Sequence, residues 1–167
     1  MNATLGIAIA MVLILTVIVM LFAMQAKKHA KHRKHKLLAA IEALAGKHHL
    51  DVEYQDTLHN RIIGVDIKKK VLVFADWKNE NVHTEVIAVK DVKDCTLIKR
   101  GNKIVEKTKS GKKATDEYVY EIQMELILPD GPIYLTIYNE MIDGVLEKQL
   151  LTDVATKWRE HVIKLMD

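Results

Sequence analysis

The first 26 residues carry no charged side chain, and from Leu5 to Met24 only Gly6 and Thr16 stand out from a run of alanines and bulky apolar residues. As an α-helix rising about 1.5 Å per residue, such a run extends about 30 Å, the thickness of a bilayer's hydrocarbon core. A cleavable signal peptide wants a positive charge before a shorter apolar run, and small residues flanking the cleavage point. Here no Lys or Arg precedes the run, and the bulky Met24 stands two residues before the best cleavage candidate, Ala26. Residues 1–26 are therefore expected to stay as a transmembrane anchor.

The flank sets the direction. Lys27, Lys28, Lys31, Arg33, Lys34 and Lys36 all follow the apolar run closely, whereas no charged side chain precedes it. By the positive-inside rule the C-terminal region is expected in the cytoplasm and the N-terminus outside, as a single-pass protein of the inner (plasma) membrane. A lone cysteine, Cys95, rules out a disulfide scaffold and suits a reducing compartment. The same six cations are placed to meet anionic lipid headgroups, at up to about 1 kcal/mol each near the surface. His29, His32 and His35 share a helical stripe within this collar. They read as part of a solvated anchor or as a pH-sensitive grip on lipid; the neighbouring cations and the lack of a carboxylate oppose a metal site.

Charge separates lipid from nucleic acid as a partner. The chain is +3 overall, from 25 basic and 22 acidic residues; without the six cations of the collar, 19 basic residues face 22 acidic ones, a net −3. A nucleic-acid-binding domain would keep its basic excess after that subtraction, so no nucleic-acid partner is expected.

After the collar, Leu37, Leu38, Ile41, Leu44 and Ala45 keep helical spacing, with Gly46 as the expected stop and His48 and His49 as linker. Residues 27–49 thus read as a basic, His-rich juxtamembrane segment and connecting helix, whose apolar stripe packs on the following domain or on a second copy. From residue 50 the period falls to two. Ile63, Val65 and Ile67 alternate with their neighbours, Lys68, Lys69 and Lys70 turn the chain into Val71–Ala75, and a strand is expected around residues 83–89. Cys95 and Leu97 fall on one face of the next strand, which makes Cys95 a core thiol. Gly101-Asn102 reads as a tight turn before a short return strand, and residues 109–115 as a loop. Tyr120, Ile122, Met124, Leu126 and Leu128 form one face of the clearest strand. The turn 129–132 then leads into a last strand, 133–138.

The chain closes on an amphipathic helix whose stripe is Leu146, Leu150, Leu151, Val154, Ala155, Trp158, Val162 and Leu165. The expected fold class is α+β: a transmembrane helix, a connecting helix, then an antiparallel barrel or sandwich over residues 50–167 with a C-terminal amphipathic helix.

Catalytic signatures are nearly absent. Ser110 is the only serine, and it stands in a loop; there is no HExxH, CxxC or phosphate-binding GxxxxGK[ST]. Asp66, Asp76, His59 and His83 are dispersed, with no spacing that makes a constellation. No enzyme activity, cofactor or metal is expected.

Six or seven strands in successive hairpins followed by one long amphipathic helix resemble pleckstrin-homology-like domains. The carrying segments are Arg61–Asp66, Val71–Phe74, Val86–Val92, Cys95–Ile98 and the terminal helix with Trp158. The arrangement is also similar to small single-pass proteins of Bacteroidetes-type bacteria, in which a membrane helix precedes such a domain. The resemblance implies lipid or partner binding at the first hairpin turn, here Lys68, Lys69 and Lys70; a basic stretch, 99–113, carries a further net +6. Solvated hairpin tips explain the same lysines. The leading expectation is a membrane-tethered, non-catalytic module that holds a protein partner at the cytoplasmic surface. Anionic-lipid binding, and homo-oligomerisation through the Gly6-xxx-Ala10 small-residue pattern, are the alternatives.

Overall fold

The computed structural model describes residues 2–107 and 113–166, with side chains outside 2–10, 12, 103–107 and 113–117. The chain divides into two compact units, one ending at Lys36 and the other Leu37–Asp167.

The expected anchor, collar and connecting helix form one uninterrupted α-helix, α1 (Asn2–His48). It is long and apolar enough to cross a membrane. In the first unit its described apolar residues, Met11 and Leu13 to Met24 among them, are exposed. Gly6 and Ala10 fall on this helix, and their side chains lie outside those described.

Gly46 does not stop the helix. His49 does, with φ of 52°: its N–H donates to the carbonyl of Gly46 (3.3 Å), and the N–H of Leu50 donates to that of Ala45 (2.8 Å). These are the two paired bonds of a Schellman terminus, which satisfy the last carbonyls whatever residue accepts the left-handed conformation.

In the second unit, β1 (Tyr54–Thr57), β2 (Arg61–Asp66), β3 (Val71–Lys78) and β4 (Asn81–Ala88) form one antiparallel sheet in sequence order. A 3-10 turn, Val89–Asp91, leads to the second sheet: β5 (Asp94–Lys107), β6 (Lys113–Leu128) and β7 (Gly131–Asn139). The short α2 (Glu140–Asp143), a 3-10 turn (Val145–Glu147) and α3 (Lys148–Met166) complete the chain. The architecture is α+β, with seven strands among the described residues. Among the described residues the two sheets do not join into a closed barrel, so the sandwich is the member of the expected pair that is found.

Alternation along β3 explains the layers. Leu72 and Phe74 face the core between the sheets, with Ile63, Val65, Ile87, Cys95, Met124, Leu126, Leu135 and, from α3, Leu151, Ala155, Trp158 and Val162. Val73 and Ala75 face the other way, where Leu37 and Ile41 of α1 cover them together with Ile62. The stripe of the connecting helix is thus buried on its own domain. This second cover buries every residue of β2.

Gly101 is a bulge and not a turn: β5 runs straight through it. Arg100 pairs with Glu121 and Gly101 with Val119, so Tyr120 is an extra residue on β6. A Cβ at Gly101 would collide with the carbonyl oxygen of Tyr118 and lie 3.1 Å from its carbon, so glycine is required by close approach. The extra residue reverses the phase of alternation, which puts Val119 in the core and leaves Tyr120 exposed, against the expected face. The short return strand and part of the loop expected after Gly101 are replaced by the outer halves of β5 and β6; the rest of that loop, with Ser110, lies outside the described residues.

Candidate functional site

Strand register brings together residues that are far apart in sequence. Arg61 of β2 stands opposite Asp76 of β3, and Asp76 opposite His83 of β4, so the three form a row across the sheet. Of the four dispersed candidates, Asp76 and His83 are therefore neighbours. Asp66 sits at the far end of β2, where it accepts the N–H groups of Asp51 and Lys69 (both 2.8 Å), and His59 lies exposed before β2.

Arg61 is almost wholly buried. Its Nη1 donates to both carboxylate oxygens of Asp143 (2.9 and 3.1 Å) and to the carbonyl of Ile137 (3.3 Å). Its Nε has no hydrogen-bond partner and points toward Asp76, with Oδ1 3.6 Å away. A buried guanidinium costs much in desolvation, and two carboxylates offset that cost. Burial raises the Asp76 carboxyl above its ordinary range, against the pull of Arg61, Lys78 and His83. Neither Arg61 nor Asp143 stood out in the sequence as a site residue: Arg61 opens the segment Arg61–Asp66, and Asp143 falls between the last expected strand and the terminal helix.

Asp76 also lines a cleft of about 420 Å³ between the β3–β4 hairpin and β7. Phe74 and Leu135 give it apolar surface, His83 and Glu85 come from β4, and Tyr134 comes from β7. The hairpin closes on Asn79 and Glu80, with φ of 52° and 63°, the pair of positive values that a two-residue type I′ turn needs.

Asp143 ends a corner with a different character. Asn139 caps α2 by accepting from the N–H of Met141, and its own N–H donates to Asp143 Oδ2 (2.7 Å). The segment is thus pinned at both ends, yet Met141 is 97% and Leu146 96% exposed, with Ile142, Val145 and Leu150 also exposed. Leu146 and Leu150 were expected in the buried stripe of the terminal helix. They fall outside it because Leu146 belongs to the 3-10 turn and the core contact of α3 begins at Leu151. Beside them a groove of about 180 Å³ runs between Leu58 and Leu150, Leu151 and Val154, edged by Asp56 and Glu147.

The basic candidates are placed as follows. Lys27, Lys28, Lys31, Lys34 and Lys36 are exposed on α1, and Arg33 is half-buried. In the first hairpin turn, Lys68 pairs with Glu53 (3.0 Å) and Asp51 (3.4 Å), Lys69 donates to the carbonyl of His49, and Lys70 takes the left-handed conformation. Two of the three lysines therefore already hold the segment after α1. Of the basic stretch 99–113, Lys99 and Arg100 are exposed, Arg100 facing Glu121 at 3.7 Å; Lys103, Lys107, Lys109, Lys112 and Lys113 lie outside the described side chains. Among the described residues, no group of three or more His, Cys, Asp or Glu is arranged to hold a metal ion.

No family model, no curated protein and no solved structure matches this chain.

Proposed function

We propose that this chain is a membrane-tethered, non-catalytic interaction module. Its N-terminal helix crosses the inner membrane with the C-terminal unit in the cytoplasm, and the corner formed by residues 139–150 holds a protein partner at the membrane surface. The pleckstrin-homology-like reading of the sandwich is supported by its seven antiparallel strands followed by one amphipathic helix.

The observation that carries the proposal is the pair Met141 and Leu146, left in water on a segment held by a helix cap and a buried ion pair. Covering one such side chain contributes about 1.5–3 kcal/mol. Glu140 and Glu147 flank the patch, which disfavours an anionic bilayer and favours a protein surface with apolar side chains and a basic rim. Tethering to a membrane raises the local concentration of such a partner without new contacts.

The test is in-cell proximity labelling with the full chain, a Met141→Asp/Leu146→Asp variant and the segment 1–49. A protein labelled by the full chain and lost with both other forms supports the module, provided the variant keeps its melting temperature. Labelling that is identical for all three forms would sink it.

A second reading has its own observation. The five exposed lysines of the collar suit contact with anionic headgroups, and this reading expects membrane affinity to fall as salt rises.

A further inference from the structure

The cleft between the β3–β4 hairpin and β7 has features that the corner lacks. It lies open to solvent between the two sheets at edge strands β4 and β7, and its volume of about 420 Å³ lies in the range, about 300–1,000 Å³, of small-ligand sites. Two carboxylates, Asp76 and Glu85, line it together with the aromatic and apolar surface of Phe74, Tyr134 and Leu135. The Tyr134 hydroxyl is bound to Glu125, which steadies the ring.

The charge balance selects the ligand. Behind the cleft, one guanidinium, Arg61, stands between two carboxylates: Asp143, to which it donates, and Asp76 at 3.6 Å, so the trio carries one net negative charge. The Arg61 Nε, in an almost fully buried side chain, has no hydrogen-bond partner and points at Asp76 from 3.6 Å, too far to satisfy that carboxylate. Asp76 is half-buried and faces Arg61 without a direct hydrogen bond from its Nε. Among the lining residues, the two carboxylates of Asp76 and Glu85 stand against the one ammonium of Lys78. An anion would meet both carboxylates; a cation would be stabilised by both and by the face of Tyr134.

We propose that this cleft binds a guanidinium or alkylammonium group carried on an apolar stem, with Asp76 and Glu85 as its counter-charges and Phe74, Tyr134 and Leu135 around the stem. The group belongs either to a free organic amine or to an arginine or lysine side chain. The inference does not rest on the corner at residues 139–150.

The experiment is calorimetric titration of the full chain in nanodiscs. The probes are agmatine, a blocked arginine-containing tripeptide and, as the anionic control, inorganic phosphate. Saturable binding of agmatine or the tripeptide is expected, at least tenfold weaker in Glu85→Gln and in Asp76→Asn, with no binding of phosphate. Glu85 is exposed, so its variant keeps the test valid if Asp76→Asn fails to fold. The tighter of the two cations identifies the source: agmatine a free amine, the tripeptide a protein side chain. Absence of saturable binding to either cation, binding unchanged by Glu85→Gln, or binding of phosphate would each overturn the assignment.

Discussion

The indole N–H of Trp158 donates to Oδ2 of Asp56 across 2.9 Å and 102 residues, fastening the terminal helix to the first strand. The Tyr54 ring lies 5.2 Å from the indole, centroid to centroid, and Lys157 pairs with the same carboxylate at 3.6 Å. Trp158→Ala is expected to cost about 3–5 kcal/mol, because a fully buried side chain and its hydrogen bond are both lost. Trp158→Phe, which keeps most of the apolar volume, should cost about 1–2 kcal/mol. Urea unfolding of the two variants gives both numbers.

Removing one partner of the buried Arg61–Asp143 pair strands the other. Arg61→Met and Asp143→Leu are each expected to destabilise by about 3–5 kcal/mol, whereas the double variant should lose less than the sum of the two, the remainder reflecting the Asn139 N–H and the Ile137 carbonyl left without their partners. A double-mutant cycle on thermal or urea unfolding measures the coupling. Additive losses would show that the pair contributes nothing as a unit.

Asp66 makes stability depend on acid. The backbone N–H of Lys69, then that of Asp51, holds its carboxyl below the usual 3.8. A lowered folded pKa contributes stability that is fully present above the unfolded value and is lost as the pH falls through the folded one. Asp66→Asn should therefore be less stable than the native chain at pH 7, and the gap should close below about pH 4. Equal stability at pH 7 would contradict this.

Cys95 is expected to resist alkylation. Burial pushes its thiol from 9.0 up to about 11, opposed by the Arg159 guanidinium and helped by Asp94. Thiolate at pH 8 is then about a hundredfold scarcer than for a free thiol, before access is counted. Iodoacetamide labelling followed by mass spectrometry should show modification only after unfolding.

Orientation is testable by protease protection. With the collar inside, protease should remove the C-terminal unit from inverted membrane vesicles and spare it in right-side-out ones. The opposite pattern would place the domain outside.

Elements with a strong period were legible from sequence because local pattern and burial agree in them. The apolar run at the N-terminus, the strand at Val71–Ala75 and the Trp158 stripe from Leu151 onward are of this kind. Leu37 and Ile41 could be read as helical, but their neighbour could not, since periodicity shows a face and not what covers it. Gly101 misled because a glycine-asparagine pair suits a hairpin turn as well as a bulge; only the position of the Tyr118 carbonyl distinguishes them. The site was the least legible part. Asp76 and His83 are seven residues apart along the chain and opposite one another only through β-pairing. The Arg61–Asp143 contact joins the first sheet to the far end of the chain, where no local pattern can announce it.

That contact also sets a clock. A ribosome adding about 5–20 residues per second makes Asp143 roughly 4–16 s after Arg61. Throughout that interval the nascent sheet carries a guanidinium without its main counter-ion, and the residues of the terminal helix that seal the core are still unmade. The sandwich therefore closes only once α3 has been made, and a chain cut before Asp143 leaves Arg61 as a charge in an open interior.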